Sequence, residues 1–504
     1  MLDINFDLLL NGLIGVFTIN NILAALLGSF AGSLIGVLPG LGPVAGIAIV
    51  LPITYGLSPT TGLIMMAAIY YGAMYGGSTT AILLNLPGEE ASVVTCIDGF
   101  ELTKKGRAGA ALTIVAVGSF VGGTVSVVGL MLFAPPLANL AILFGPAEFF
   151  ALLAGGLIVF SRISGGSFSA GVFPMAVGLV LSNIGTEAVT GINRFTFGFD
   201  ELLLGITLVP VAVGLFGASE IMLMVERFDR QVQPIRVKLR EMWPTRSEWN
   251  RCWAPFIRGS AIGFVIGLLP GARTVMASFA SYRLEKAVSK YRHEFGHGAI
   301  EGVAGPETAN NAAATSTMVP LLALGIPTGA VTALMFSALM VHNVQPGPLL
   351  MAQHPEIFFG VIMSMYVGNV ILLILNVPLI GVWVSLLRVP QNILLPAILL
   401  VAFVGSYSVN GSMLDLWLLL VFGAVGYILQ KLQFTLAPMV IAIVLGPMIE
   451  KHLREGLTMS LGDATILFNS PIAGTIWVLV LFLVSLNFWR GLVRRILAFL
   501  IKSF

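Results

Sequence analysis

The chain has 504 residues, of which 57% are hydrophobic and only 10% are charged, and its formal net charge is +2. Soluble globular proteins carry about 25% charged residues. This composition therefore excludes a soluble fold and predicts an all-α polytopic membrane protein in the lipid bilayer. Nothing in the charge distribution indicates a nucleic-acid partner.

Apolar runs close to the roughly 20 residues that a spanning helix needs recur along the chain, and we expect about 10–12 spans. The most charged segment, 226–258, has an excess of basic residues, which indicates a cytoplasmic location. We therefore predict a first membrane repeat over 1–225, a cytoplasmic basic linker over 226–258, and a second membrane repeat over 259–504 that ends in a C-terminal interfacial helix.

Glycines at four-residue spacing, Gly28, Gly32 and Gly36, leave one face of the first long apolar run bare. A bare face lets another helix approach closely, so we predict a helix–helix contact there. The run ends at Pro39-Gly40, through which a helix cannot continue unbroken. Broken backbone at membrane depth persists only where it is buried in protein or lines a wet cavity. The short apolar segment that follows predicts a re-entrant hairpin.

A second break follows in the motif G-G-S-T-T-A-I-L-L-N-L-P-G-E at 76–89. The glycine pair is predicted to open a short half-helix, and the Pro-Gly pair is predicted to close it. The polar residues of this motif are candidates for substrate binding: Ser78, Thr79, Thr80 and Asn85.

The second half of the chain contains matching features in the same order. The motif G-L-L-P-G-A-R at 267–273 places a Pro-Gly pair 231 positions after the first one, and L-G-I-P at 324–327 lies 240 positions after L-N-L-P. The polar segment at 310–317 is predicted to begin another half-helix. An arginine at membrane depth is a functional hypothesis by default. The substrate-binding candidates of this half are Arg273, Asn310, Asn311, Thr315, Ser316 and Thr317.

These matching landmarks predict two structural repeats, each with a re-entrant hairpin and a discontinuous helix. Loop charge predicts their relative orientation. In the first half the loop at 56–59 is uncharged and the loop at 98–107 is basic, whereas in the second half 283–297 is basic and 342–348 has no lysine or arginine. Because basic loops face the cytoplasm, equivalent loops would face opposite sides, and we predict an inverted repeat.

A set of long motifs runs through nearly the whole chain: G-V-L-P-G-L-G-P (36–43), Y-Y-G-A-M-Y-G-G-S-T-T (70–80), N-L-P-G-E (85–89), G-R-A-G-A-A (106–111), E-F-G (294–296), G-A-I-E-G-V-A (298–304), N-N-A (310–312) and L-G-P-M (445–448). This set resembles the large membrane subunit of tripartite tricarboxylate transporters. The chain departs from the family pattern at Arg273, where the family usually has glycine.

The resemblance implies an importer of small carboxylates, citrate or another tri- or dicarboxylate, in the bacterial inner membrane. It also implies two partners, a small four-helix membrane subunit and a periplasmic substrate-binding protein. It implies no enzymatic activity and no cofactor, with sodium or a proton as the coupling ion.

Unpaired N–H groups at the predicted half-helix starts can bind carboxylates without a full positive charge, and unwound carbonyls near the breaks can coordinate a cation. The candidate cation-binding residues are Gly40, Gly42, Gly271 and Glu307. In the competing interpretation, the Ser and Thr residues only cap helices or bond back to carbonyls. Glu89, Glu90 and Asp98 are interpreted as loop charges in water.

Alternative functions stay open at this stage. A stand-alone proton-coupled carboxylate carrier would need no binding protein, and a channel would pass its substrate downhill. The segment H-E-F-G-H at 293–297 fits the zinc-protease pattern H-E-x-x-H. His293, Glu294 and His297 therefore define a distant alternative, an intramembrane metalloprotease. Because glycines disfavour the regular helix that this chemistry requires, we expect no metal site there.

Overall fold

A computed structural model describes residues 6–38, 40–164, 168–187, 190–226, 242–271, 274–386 and 391–485. The described part is almost entirely helical. In the first half the helices are α1 (Phe6–Val16), α2 (Ile19–Val37), α3 (Gly42–Thr54), α4 (Pro59–Leu84), α5 (Val93–Lys104), α6 (Ala108–Ala141), α7 (Pro146–Ser164), α8 (Phe168–Leu181), α9 (Leu208–Ala212) and α10 (Ser219–Glu226), with a π-helical stretch, Val213–Ala218, joining the last two.

The second half continues with helices of similar length. They are α11 (Arg246–Gly267), α12 (Thr274–Val288), α13 (Glu301–Ser316), α14 (Met318–Leu324), α15 (Ala330–Val341), α16 (Pro348–Gln353), α17 (Pro355–Asn376), α18 (Ile380–Leu386), α19 (Gln391–Asn410), α20 (Met413–Lys431), α21 (Ala437–Met459), α22 (Ile466–Asn469) and α23 (Pro471–Ser485).

Six helical stretches in the described ranges are long and apolar enough to cross a membrane. They are Ile19–Val37, Ala108–Ala141, Pro146–Ile163, Leu208–Glu226, Pro355–Asn376 and Met413–Lys431. Six shorter apolar helices of 10–17 residues accompany them. The prediction of an all-α polytopic membrane protein is therefore confirmed.

The chain groups into two compact units, and each unit draws on both halves of the sequence. The larger unit combines Met1–Ile142 with Thr207–Leu432, and the smaller combines Leu143–Ile206 with Gln433–Phe504. In the smaller unit, α21 packs against α7 and α8. A two-stranded antiparallel hairpin, β1 (Gly185–Thr186) and β2 (Asn193–Arg194), also belongs to this unit.

The glycine stripe of α2 packs directly against α4 in the larger unit. A methyl group on Gly32 would lie 2.3 Å from the carbonyl oxygen of Ile69, and one on Gly36 would lie 2.2 Å from that of Ala73. No side chain fits at such a separation, so the two backbones touch. The predicted close helix contact is confirmed, with α4 as the partner.

The same contact recurs between α11 and α13. A methyl group on Gly263 would lie 2.3 Å from the carbonyl oxygen of Ala309, and one on Gly267 would lie 2.3 Å from that of Ala313. These glycines follow their counterparts in α2 by 231 positions, and the carbonyls follow theirs by 240. The offsets are those of the sequence motifs, so the duplication extends to backbone packing. The opposite orientation of the two copies stays a prediction.

The backbone breaks also recur at equivalent positions. Gly40 and Gly271 have φ values of 97° and 78°, in the left-handed region that favours glycine. Asn85 ends α4 with a φ of 56°, and Gly325 ends α14 with a φ of 69°. Pro39, Ala272 and Arg273 lie outside the described residues.

The predicted half-helix starts are wrong. Residues 76–80 lie in the interior of α4, which runs without a break from Pro59 to Leu84. Residues 310–316 lie in α13, which begins at Glu301. A glycine inside a helix costs only about 1 kcal/mol, so α4 can continue through Gly77. Its missing side chain makes room for a neighbour, because a methyl group there would lie 2.7 Å from Cγ of Glu89.

The charged segment 226–258 is only partly described, because 227–241 lie outside the described residues. Its last part belongs to α11, which begins at Arg246 and continues past residue 258 to Gly267. The division into a first repeat, a linker and a second repeat stays a prediction.

Candidate functional site

Glu307 on α13 is the centre of a buried polar cluster, and its side chain is only 1% exposed. Its Oε2 accepts hydrogen bonds from Oγ of Ser78 at 2.5 Å and from Oγ1 of Thr95 at 3.2 Å. Its Oε1 accepts from Oγ of Ser119 and from Nδ2 of Asn311, both at 3.1 Å. We call these five residues the Glu307 cluster. Its donors come from α4, α5, α6 and α13, so one carboxylate joins both halves of the sequence.

The glycines of α6 explain how Ser119 reaches this cluster. A methyl group on Gly122 would lie 2.3 Å from the carbonyl oxygen of Thr308, and one on Gly118 would lie 2.8 Å from Oγ1 of the same residue. This close approach brings α6 against α13 at Thr308, the residue that directly follows Glu307. Ser119 also accepts a hydrogen bond from Nδ2 of Asn311 at 2.8 Å, which orients the amide.

Glu89 occupies a second buried pocket, at the break after α4. Its side chain is 6% exposed. Its Oε1 accepts from Nδ2 of Asn310 at 3.1 Å, and its Oε2 accepts from the backbone N–H of Ala91 at 2.7 Å. Gly77 provides the wall on the α4 side. We call this group, Glu89 with Asn310, Ala91 and Gly77, the Glu89 pocket.

The structure thus brings three predicted substrate-binding residues to carboxylates of the protein rather than to a positively charged surface. Ser78 and Asn311 contact Glu307, and Asn310 contacts Glu89. Carboxylate oxygens repel an anion at close range, whereas they suit a cation. The chemistry of these three residues therefore favours cation binding over direct contact with a carboxylate substrate.

The other hydroxyl candidates lie in the same helices and are buried. Thr80 and Thr317 donate to carbonyl oxygens three residues earlier, at 3.0 and 2.6 Å, and Ser316 does so at 3.1 Å. These are the local bonds of the competing interpretation. Thr79 and Thr315 are buried at 3% and 1% exposure.

Asn85 and Arg273 are not part of the cluster as described. Asn85 is exposed and caps the end of α4 in the left-handed conformation. Arg273 lies outside the described residues, so its pairing with a substrate carboxylate stays a prediction.

The glycine candidates for cation binding lie at the two tips between helices. Gly40 is close to Glu220 and Met224 of α10. Gly42, also with positive φ, begins α3. The N–H of Gly271 donates to the carbonyl oxygen of Thr328 at 3.1 Å. Within the described residues, no hydrogen bond joins these glycines to Glu307, and their role in cation binding stays a prediction.

Helix N-termini do occur at the breaks, but further along the chain than predicted. The break after α14 leads into α15, whose N-cap is Gly329. The first N–H groups of a helix lack acceptors within it and favour an anion. Beside this start, Thr328 is 2% exposed, and its Oγ1 is without a hydrogen-bond partner among the described residues. Space is open at Gly329, where a methyl group would have no neighbour within 4 Å.

Sequence reasoning misjudged Glu89 and Asp98, which were interpreted as loop charges in water. Asp98 on α5 is fully buried. Its Oδ1 accepts from the backbone N–H groups of Gly296, Gly298 and Ala299 at 2.8, 2.8 and 2.9 Å, and its Oδ2 accepts from the hydroxyl of Tyr282 at 3.0 Å. Four donors thus replace water around this carboxylate.

The same contacts explain the H-E-F-G-H segment. Arg292–Glu294 is a 3-10 turn, and Gly296 has a φ of 89°, so the two histidines do not share a helix face. The carboxylate of Glu294 pairs with Arg251 at 2.6 Å. Among the described residues there is no group of three or more His, Cys, Asp or Glu that could hold a metal ion. The segment supports the Asp98 contact, and its geometry contradicts the metalloprotease alternative.

The fold and site together define a class of protein: a multi-pass membrane protein with a duplicated helix pair and buried carboxylates where its helices break. The chain belongs to the tripartite tricarboxylate transporter TctA family, whose model matches residues 22–441. The resemblance found in the sequence is confirmed. The chain is therefore the large membrane component of a tripartite transport system, which has partner subunits, and it is not an enzyme.

Two relatives from Agrobacterium vitis extend the comparison. An uncharacterized 52.8 kDa protein in the TAR-I ttuC' 3'region is 48% identical over 457 residues, which cover 90% of this chain and 91% of the relative. An uncharacterized protein in the TAR-II ttuC' 3'region is 48% identical over 214 residues, which cover 42% of this chain and 88% of the relative. No solved structure matches the chain.

Proposed function

We propose that the chain is the large transmembrane subunit of a cation-gradient-driven, binding-protein-dependent importer of small carboxylates. The observation that carries this proposal is the Glu307 cluster. A transporter driven by a cation gradient needs a site that releases its ion easily, and one carboxylate with neutral oxygen ligands provides such a site.

The ligands for the cation would come from both halves of the sequence. Besides the carboxylate of Glu307, the hydroxyl oxygens of Ser78, Thr95 and Ser119 lie within 3.2 Å of its oxygens. A hydroxyl group can rotate its hydrogen away and present a lone pair to a cation. The neutral amide of Asn311 holds the carboxylate in place at 3.1 Å.

The substrate carboxylate would bind at the start of α15. That helix start offers backbone N–H groups, the open space at Gly329 and the buried hydroxyl of Thr328. The hairpin tip at Gly271 contacts Thr328 directly, and Arg273 follows two residues later. An arginine here could hold a second carboxylate group of the substrate by two parallel hydrogen bonds.

The two partners in this proposal are a small four-helix membrane subunit and a periplasmic substrate-binding protein, and the location is the bacterial inner membrane. Membership of the family supports this part of the proposal, because the large subunit of that family works with partner subunits in a tripartite system. The binding protein would capture the carboxylate outside the membrane and deliver it to the site.

Uptake into vesicles tests the proposal. Vesicles with the chain and its partner subunits are supplied with mono-, di- and tricarboxylates, under an inward sodium gradient, an inward proton gradient, or no gradient. We expect uptake of at least one small acid that requires both a cation gradient and the binding protein. Full uptake without the binding protein would instead support the stand-alone carrier. Gradient-independent uptake would support a channel, and absence of gradient-dependent uptake for every acid would refute the proposal.

A further inference from the structure

The Glu89 pocket is a closely packed polar group within the larger unit, and its hydrogen bonds are separate from those of the Glu307 cluster. The backbone turns sharply at Gly88, where a methyl group would lie 2.0 Å from the carbonyl oxygen of Gly36. This turn presses Glu89 against Gly77, where only glycine leaves room for the Glu89 side chain. The position of the carboxylate is therefore fixed by two glycines and the α2 backbone.

The charge of this pocket is not balanced within the described part of the chain. Neither Glu89 nor Glu307 forms a salt bridge with a described lysine, arginine or histidine, and the two carboxylates are close enough to interact electrostatically. Proteins pair buried charges or use them to coordinate cations. Two buried carboxylates near one another would therefore be stabilised by a cation bound from solution.

Asn310 supplies a second, independent observation. Its side chain is fully buried, its Nδ2 donates to Oε1 of Glu89, and its Oδ1 is without a hydrogen-bond partner among the described residues. A half-turn of this amide about χ2 would exchange its nitrogen and oxygen. Oδ1 would then lie about 3.1 Å from the carboxylate oxygen of Glu89, because the amide nitrogen now lies at 3.1 Å.

Two oxygens at that separation fit around one cation. Oxygen ligands lie about 2.3–2.6 Å from Ca²⁺, and Na⁺ has nearly the same radius. One ion can therefore contact both oxygens, whereas without an ion they would repel each other. The hydroxyl of Tyr70 is near enough to interact with Glu89 electrostatically and also contacts Thr317, so it offers a further oxygen.

We propose that Glu89 and Asn310 form a second sodium site, distinct from the Glu307 cluster, so that two cations move with each substrate. The inference rests on the proposed function. A monovalent ion fits because the site has one carboxylate and neutral oxygens. A proton would use the Glu89 carboxylate but would give no role to the amide oxygen of Asn310.

Direct binding of ²²Na⁺ to the purified full-length chain tests the site without requiring transport. The variants are Glu89→Gln, which keeps the size of the side chain, and Glu307→Gln. The matched control is Glu90→Gln, which removes the same charge from an exposed neighbour. We expect two sodium ions per chain in the wild type and in Glu90→Gln, one in each of the other variants, and none in the double variant. Two bound ions in Glu89→Gln would overturn the proposal.

Asn310→Asp distinguishes a direct role in sodium binding from a loss of binding caused by misfolding, because it is expected to strengthen binding. This change replaces the amide with a second carboxylate of the same size, so the empty site becomes more repulsive and sodium binding should tighten. We expect sodium affinity about tenfold higher than in the wild type, since charged ligands strengthen cation sites. Unchanged or weaker affinity in a monodisperse Asn310→Asp protein would contradict a direct role for this side chain.

Accumulation separates failure of this inference from failure of the proposed function. With the membrane potential held at zero, a tenfold sodium gradient drives about a tenfold accumulation for each coupled ion. We expect about a hundredfold accumulation in the wild type and in Glu90→Gln. A limit of about tenfold in the wild type would overturn the second site and leave the proposed function intact. Absence of accumulation under an inward sodium gradient and also under an inward proton gradient would refute both.

Discussion

The helix pair α2–α4 and the helix pair α11–α13 share their packing but not their chemistry. Both place glycines at four-residue spacing against carbonyl oxygens of the partner helix. The first pair contains no charged residue. In the second pair, Arg251 and Arg258 of α11 pair with buried glutamates, and α13 carries Glu307.

This difference shows how a duplicated scaffold can carry a single site. Backbone contact between the paired helices sets the distance between their axes in both copies. The sequences of the two copies can diverge at every position whose side chain does not contact the glycine stripe. The second copy supplies the buried carboxylate, while the first supplies the hydroxyl of Ser78 that contacts it. In the proposed function the cation site would therefore need both copies, although they contribute unequally.

The largest expected effect concerns the ion pairs that only the second copy has. Arg258 holds the fully buried Glu285 through Nε at 2.8 Å and Nη2 at 2.5 Å. Arg258→Ala leaves that carboxylate buried and unpaired, which should lower the free energy of unfolding by about 3 kcal/mol. Thermal unfolding of the purified protein in detergent measures the loss.

Two comparisons check the cause of that loss. Arg258→Leu combined with Glu285→Leu removes both charges and should recover most of the stability. Lys104→Ala, which breaks an exposed pair with Glu101, should cost at most about 1 kcal/mol. Equal losses in Arg258→Ala and Lys104→Ala would show that burial of Glu285 is not what matters.

The next effect tests whether the two glycine stripes are equivalent. Gly32→Ala and Gly263→Ala each place a methyl group 2.3 Å from a carbonyl oxygen, so the helices must separate. We expect each to cost about 1–3 kcal/mol, as overpacking usually does, and the two costs to be similar. The unfolding midpoint of each variant measures this.

Gly368→Ala in α17 is the control for the glycine variants, because a methyl group there has no neighbour within 4 Å. Alanine favours helix over glycine, so this variant should be as stable as the wild type or slightly more stable. If only one of Gly32→Ala and Gly263→Ala were destabilising, the shared packing of the two copies would be called into question.

The smallest effect concerns the contribution of the first copy to the site. Ser78→Ala removes one of four hydrogen bonds to the Glu307 carboxylate. A hydrogen bond to a charged group contributes about 1.5–3 kcal/mol, so the sodium concentration for half-maximal uptake should rise about tenfold. Thr80→Ala, which removes only a local bond to the carbonyl of Gly77, should leave it unchanged. An equal shift in both variants would argue against the specific contact of Ser78.

The sequence predicted the duplication well because its signals are local. Glycines at four-residue spacing and Pro-Gly pairs act through backbone sterics, and Gly32 and Gly263 behave as their pattern indicates. Ser78 and Glu307 are 229 positions apart, and the structure shows a hydrogen bond between them. The sequence predicted only that both belong to one polar site.

Other features could not be predicted because distant partners determine them. Gly77 resembles a helix breaker in sequence, yet it lies within α4 and makes room for Glu89. Glu89 itself follows Pro87-Gly88 and precedes Glu90, so its sequence looks like a solvated loop. Asp98 is likewise buried only because the loop around Gly296 and Gly298 folds over it.

The central claim is that Glu307 couples a cation gradient to carboxylate import. The most direct measurement is the accumulation of a transported acid by vesicles that carry the chain and its partner subunits under an inward sodium gradient, compared between the wild type and Glu307→Gln. Under a tenfold sodium gradient we predict that the wild type concentrates the acid about a hundredfold, whereas Glu307→Gln at equal protein abundance, with one cation site removed, reaches at most about tenfold. Wild-type accumulation in Glu307→Gln would contradict the account.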